Sequence, residues 1–384
     1  MKSLLARLAL AATATVACLL LAEIVVRTLA LDTRITPVFQ ENYRLSANPA
    51  LRYELVPGSR DGDGVINQAG LREDRDYHER KPGGVFRIAC VGDSICYGFG
   101  VDQADCFPQQ LERLLAALAP GRCEVLNFGV PAYNAGQIVE IATQKALRYD
   151  PDLLIYAYCL NDPQEYSLQF EGLLAQLTPA EQHLTGRRLA RSLLDDSRLL
   201  RLGLYAWRRV WYDDPRPDTE PEFWSDDPQA VSMQAGQHAQ YYRALHRTPA
   251  TWDPTGAALD ALADLSATHG VAVLTAVFPV CVELVDHPLR DVHEWLQQEC
   301  TRRGFAVLDL HAPFLAFARV EDPEPCCDQL HPSAPGHRFT AVAMLRRLID
   351  LGLVPPDCSP EGLHRLAAND ATLQRYLRTL AKLQ

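Results

Sequence analysis

A three-layer α/β sandwich around a five-stranded parallel sheet is the fold class this sequence predicts, and three observations carry it. Short, almost wholly apolar runs recur at 86–91, 123–128, 152–158, 271–278 and 305–310. Between most of them lie stretches whose apolar residues step by three and four, at 107–118, 134–148, 255–269 and 288–303. Strands that alternate with helices in this way form a parallel sheet covered on both faces. Lastly, residues able to do chemistry follow the strand candidates: Ser94 after the first, Gly129 after the second, Asn161 after the third, Asp328 and His331 beyond the fifth. In such a sheet, ligands bind outside the carboxyl ends of the strands. These distant residues are therefore expected on one face.

Taken in order, residues 1–27 read as an N-terminal membrane anchor. Leu8 to Val26 is apolar except for Thr13, Thr15 and Glu23, and as a helix it would reach about 28 Å, near the thickness of a bilayer core. Lys2 and Arg7 precede it, whereas Glu23, Asp32 and Glu41 offset Arg27 and Arg34 after it, which puts the bulk of the chain outside. Cleavage as a signal peptide is the competing reading, with Thr15-Val16-Ala17 before Cys18 as a poor lipoprotein-like site. Residues 28–84 form a connector and flap, punctuated by Pro49, Pro57 and Gly58, with a turn at Asp61-Gly62-Asp63-Gly64 and a short strand at 65–67.

The alternating domain occupies 85–352. Phe107, Leu111, Leu114, Leu115 and Leu118 give its first helix an apolar face, and Gly121 stops it. An insertion at 163–252 interrupts the alternation and carries helical stretches near 186–210 and 231–247. Its aromatics are Tyr205, Trp207, Trp211, Tyr212, Phe223, Trp224, Tyr241 and Tyr242. Because it begins right after Asn161, it is expected to cap the active face, its aromatics packing the cap or facing substrate. A helix over 335–351 follows. The extension at 353–384 reads as a last helix opened by Ser359-Pro360.

Composition narrows the function. The chain is 48% hydrophobic and 22% charged, which excludes disorder throughout, and its net charge of −11 speaks against nucleic acid as a partner. What remains is site chemistry. A serine hydroxyl becomes a nucleophile when a histidine takes its proton and a carboxylate holds that ring in the right tautomer. Ser94, in Val91-Gly92-Asp93-Ser94-Ile95, supplies the hydroxyl; Asp328-Gln329-Leu330-His331 places carboxylate and imidazole three residues apart. His337, further on, is expected to pack or face water. Negative charge developing on a carbonyl oxygen needs fixed donors, for which the Ser94 N–H, the Gly129 N–H and the Asn161 amide are candidates.

These pieces together resemble the SGNH/GDSL hydrolase family, whose blocks contribute Ser, Gly, Asn and His in the order seen here. Asn67-Gln68-Ala69-Gly70-Leu71-Arg72 is similar to a segment preceding the domain in membrane-anchored bacterial members. The resemblance implies a flavodoxin-like sheet and hydrolysis of acyl esters, commonly acetyl or other short acyl groups on sugars or lipids, with Ser94 attacking, His331 as base then acid, and Asp328 orienting it. It implies no cofactor or metal, and a single-pass inner-membrane protein with its domain on the periplasmic or extracellular side. O-acyl transfer to a surface glycan or lipid alcohol, beside a multi-span membrane acyltransferase, is an alternative. So is a non-catalytic binding protein on the same scaffold. The chain departs from the family where Cys159 stands in place of glycine two residues before Asn161. Among the eleven cysteines, Cys96, Cys159, Cys281, Cys326 and Cys327 are expected to converge near the active face, as a local disulfide, a thiolate metal site or free thiols.

Overall fold

The computed structural model describes residues 2–28, 42–61, 64–164, 199, 239–281, 284–320, 325–328 and 330–383. Its chain divides into a unit of residues 1–43 with 175–219 and a larger unit of 44–174 with 220–384. The larger unit holds the sheet. Strands β1 (Phe86–Gly92), β2 (Cys123–Asn127), β3 (Leu153–Tyr158), β4 (Ala272–Val277) and β5 (Ala306–Asp309) are all parallel and lie in the order β2-β1-β3-β4-β5. That is the flavodoxin-like order, with its topological switch point between β1 and β3. The central strands are apolar because helices cover both their faces; every residue of β3 is buried.

In the smaller unit, the backbone of α1 (Lys2–Thr28) is helical. Among the described residues, no helix is long and apolar enough to cross a membrane, so the expected span is not found there.

The crossover helices of the larger unit are α3 (Phe107–Leu118), α4 (Ala135–Gln144), α5 (Pro249–His269) and α6 (Arg290–Thr301), after the single turn α2 (Ser94–Tyr97). α3 packs on α8 (Ala334–Asp350), and α4 on α5. The helix expected at 255–269 begins earlier and contains Pro254. α7 (His311–Ala318) was not expected. The extension forms two helices rather than one, α9 (Pro360–Ala367) and α10 (Ala371–Ala381), because the Asp370 carboxylate accepts the Thr372 and Leu373 N–H groups and starts a new helix.

Register sets the active edge. Cys90 pairs with Asn127, Gly92 with Ala157, Tyr158 with Val277, and Val277 with Asp309. The loops after all five strands thus leave the same edge. The opposite edge is tied by Arg87, 1% exposed, whose guanidinium donates to Glu124 Oε2 at 2.8 and 2.6 Å and to the carbonyls of His78, Glu79 and Tyr149. Asp152 accepts the Arg87 N–H at 2.8 Å and Lys81 Nζ at 2.6 Å.

The insertion leaves after Asn161 as expected, and most of it, including Tyr205, Trp207, Trp211, Tyr212, Phe223 and Trp224, lies outside the described residues. Its two ends meet: Gln164 Nε2 donates to the Tyr241 hydroxyl, and His246 Nε2 lies 2.9 Å from the Tyr158 hydroxyl at the end of β3. The His246 ring, held down to about 4 by burial, is neutral and serves as a packing partner. Tyr242 is buried.

Candidate active site

Ser94 opens α2 directly beyond β1. Asp93 caps that turn: its Oδ1 accepts the Ile95 N–H at 3.0 Å, and its Oδ2 lies 3.4 Å from Ser94 Oγ. At the far end, the Gly98 and Phe99 N–H groups both donate to the Ser94 carbonyl, at 3.0 and 2.9 Å. Gly98 has φ +87°, and a Cβ there would lie 2.3 Å from the Cys106 Cβ, so only glycine closes this turn. The short peptide Gly-Asp-Ser is thereby a rigid corner that exposes one hydroxyl.

Asp328 and His331 lie in a hairpin closed by an antiparallel bridge between Cys326 and Pro332 and by the Cys327 N–H donating to the His331 carbonyl at 2.9 Å. Asp328 Oδ1 accepts the Leu330 and His331 N–H groups, both at 2.7 Å, while Oδ2 lies 2.8 Å from His331 Nδ1. On the other side of the ring, Nε2 is 2.9 Å from Ser94 Oγ, across 237 positions of sequence. An ionised carboxylate only accepts, so Nδ1 carries the ring proton and Nε2 is left to accept the Ser94 O–H. Burial pushes the Asp328 carboxyl up, but the His331 ring and the two backbone donors outweigh it and hold the carboxyl below its ordinary range. The Phe99 ring lies 4.8 Å from the His331 ring, centroid to centroid. Sequence reading missed this contact; its one visible signal was an aromatic between two glycines, Gly98 and Gly100.

The three expected donors fare differently. Ser94 stands at the first position of α2, where N–H groups have no intrahelical partner. Asn161 follows β3 by three residues, with a buried Oδ1 that has no partner among the described residues. The Gly129 N–H, by contrast, donates to Asn127 Oδ1 at 2.9 Å. Glycine is needed there for packing: a Cβ would sit 2.3 Å from the Tyr97 N and 2.7 Å from the Cys96 carbonyl carbon. Asn127, which sequence reading passed over, is fully buried and also reaches Cys96 and the Tyr97 carbonyl.

Two buried carboxyls lie beneath the site. Burial pushes Asp93 up, opposed by the Ile95 N–H and His331; burial and then the charge of Asp93 push Asp162 well up, while the Tyr156 hydroxyl donates to it at 2.7 Å. Of the five cysteines, Cys281 and Cys326 form a disulfide that ties the loop after β4 to the Asp328/His331 hairpin. Cys96 and Cys159 are buried free thiols raised by desolvation, and Cys327 is an exposed free thiol. Among the described residues no His, Cys, Asp and Glu group is arranged to hold a metal ion. His337 packs: it is buried, accepts the Phe107 N–H at 3.2 Å on Nδ1, and is pushed down to about 3 by burial.

Residues 90–339 match the model of the GDSL-like lipase/acylhydrolase family, a span that contains Ser94, Asn161, Asp328 and His331. The chain belongs to this family. No curated protein matches it in sequence. Solved structures with a similar fold include a catalytic variant of Axe2, an acetylxylan esterase from Geobacillus stearothermophilus, at 15% identity over 70% of this chain and 96% of that one, with a TM-score of 0.41. LAE5, an α/β hydrolase enzyme from the metagenome of Lake Arreo, is 15% identical over 68% and 94%, with a TM-score of 0.40. Membership of the GDSL-like lipase/acylhydrolase family supports an esterase activity.

Proposed function

We propose that this GDSL-family chain is a serine esterase that cleaves acyl esters, short-chain or acetyl, on a glycan, lipid or small molecule. One observation carries the reading: a hydroxyl, an imidazole and a carboxylate stand in line at 2.9 and 2.8 Å. Ser94 Oγ attacks the acyl carbonyl as its proton passes to His331 Nε2, and the Asp328 carboxylate stabilises the imidazolium. The Ser94 N–H and the Asn161 amide meet the oxyanion. His331 then returns the proton to the leaving alcohol, and water clears the acyl-serine by the same route. The exposed apolar side chains of α1, among them Leu19, Leu20, Leu21 and Ile24, support a membrane-tethered protein.

Ser94→Ala tests the reading. It should abolish ester turnover and covalent labelling by a serine-reactive phosphonate, with a urea midpoint close to wild type. Labelling of the variant at the wild-type rate removes Ser94 as nucleophile. A panel of acyl donors with and without glycan and lipid alcohols separates hydrolysis from transfer, because only a transferase gives acylated alcohol. Wild-type protein that takes no label under any condition would favour a binding role for the scaffold.

A further inference from the structure

The family match begins at residue 90, yet the flap before it reaches under the active site. Asn67 builds a tight loop: its Oδ1 accepts the Ala69 and Leu71 N–H groups at 3.0 Å each, and its Nδ2 donates to the Arg75 carbonyl at 2.8 Å. That loop turns the next two side chains inward, leaving Arg72 3% and Glu73 1% exposed. Arg72 Nη1 donates to the Tyr97 and Gly98 carbonyls at 3.1 and 2.8 Å, Nη2 to the Val101 carbonyl at 3.0 Å, and the guanidinium lies 4.7 Å over the Tyr97 ring. These carbonyls belong to the turn leading out of α2, and Phe99 at its middle rests on the His331 ring. Glu73 Oε1 accepts the Asn127 N–H at 2.9 Å, and Asn127 in turn fixes Gly129. One dipeptide therefore holds both stretches of backbone that flank Ser94.

We propose that Arg72 and Glu73 are positioning residues, which set the angle of the His331 ring through the 97–101 turn and hold the 127–129 loop against α2. The proposal rests on Ser94 and His331 acting as nucleophile and base. A planar fork is what this place requires, since one cation must meet three carbonyls while stacked on an aromatic ring. Without it, the turn can shift, and Phe99 no longer limits the tilt of the imidazole away from Ser94 Oγ.

The experiment compares Arg72→Ala, Arg72→Lys, Phe99→Leu and the double variant Arg72→Ala/Phe99→Leu, with Arg87→Ala as a buried arginine at the other edge of the sheet. Hydrolysis of p-nitrophenyl acetate and phosphonate labelling are measured on folded protein. Arg72→Ala should lower kcat about 10- to 100-fold, as a reacting group displaced by about an ångström does, with KM changed less than about threefold. Arg72→Lys should recover part of the loss. The double variant should lose no more than its worse single variant, because both act on one ring. Folded Arg87→Ala should keep kcat within about twofold, as expected of independent sites. Wild-type protein that labels at Ser94, together with Arg72→Ala at wild-type kcat or strictly additive losses, overturns the proposal. Wild-type protein that does not label at Ser94 overturns the esterase reading instead. Should Arg72→Ala not fold, Arg72→Lys and Phe99→Leu decide by the same criterion: wild-type kcat in both rejects positioning.

Discussion

Asp328→Asn isolates the orienting carboxylate from the hairpin that carries it. Asp328 uses its two oxygens differently: Oδ1 accepts two backbone N–H groups at 2.7 Å, and Oδ2 faces His331 Nδ1 at 2.8 Å. Asparagine can keep its carbonyl oxygen on the backbone pair, so the hairpin stays closed. Its NH₂ then points at Nδ1, and two donors cannot face each other. The ring must move its proton to Nε2, the nitrogen that lies 2.9 Å from Ser94 Oγ and has to accept. An equivalent change in a serine protease triad costs about 10⁴ in kcat through the wrong tautomer, which is about 5.4 kcal/mol at 1.36 kcal/mol per tenfold. Stability should move by less than about 1 kcal/mol, the range of one net hydrogen bond. Steady-state hydrolysis of p-nitrophenyl acetate, with urea unfolding of the same samples, reads both quantities. A folded Asp328→Asn protein within tenfold of wild-type kcat would refute the tautomer argument and with it the assignment of Asp328.

Asn161→Ala should lower kcat by about 10² to 10³, the effect of removing one oxyanion donor, and leave KM nearly unchanged; a loss confined to KM would place Asn161 in ground-state binding. Burial holds the Glu73 carboxyl up at about 8, against its ordinary 4.5. The folded chain thus binds a proton that the unfolded chain has released between those values, so stability falls as pH rises through that window. Glu73→Gln should flatten the slope, and parallel urea midpoints for both proteins across it would contradict the cause given. Cys281→Ser should lose about 2–4 kcal/mol, as for a typical native disulfide, and its melting temperature should not respond to reductant while that of wild type does.

Much of the fold was legible because the central strands are buried on both faces. Leu153–Tyr158 reads as an apolar run for that reason, and parallel pairing then forces the following loops to one edge. Ser94, Asn161, Asp328 and His331 stood out because each ends a strand or follows the last one. Gly129 was legible as a glycine but not in its duty, since the backbone of Tyr97 that excludes a Cβ comes from 32 positions earlier. Phe99 and Asn127 act through tertiary contact, and neither the glycines beside Phe99 nor any periodicity around Asn127 says what they touch. The break between α9 and α10 was readable at Asp370, a capping residue inside an apolar stripe that looked continuous. The pattern at 255–269 came out short at its start, because α5 runs from Pro249 through Pro254.

The bond between Gln164 and Tyr241 has a consequence for how such a protein diversifies. It joins two points of the chain 77 positions apart, beside the end of β3. Neither residue belongs to a strand, so the length of chain between Gln164 and Tyr241 can change without altering the pairing register of the sheet.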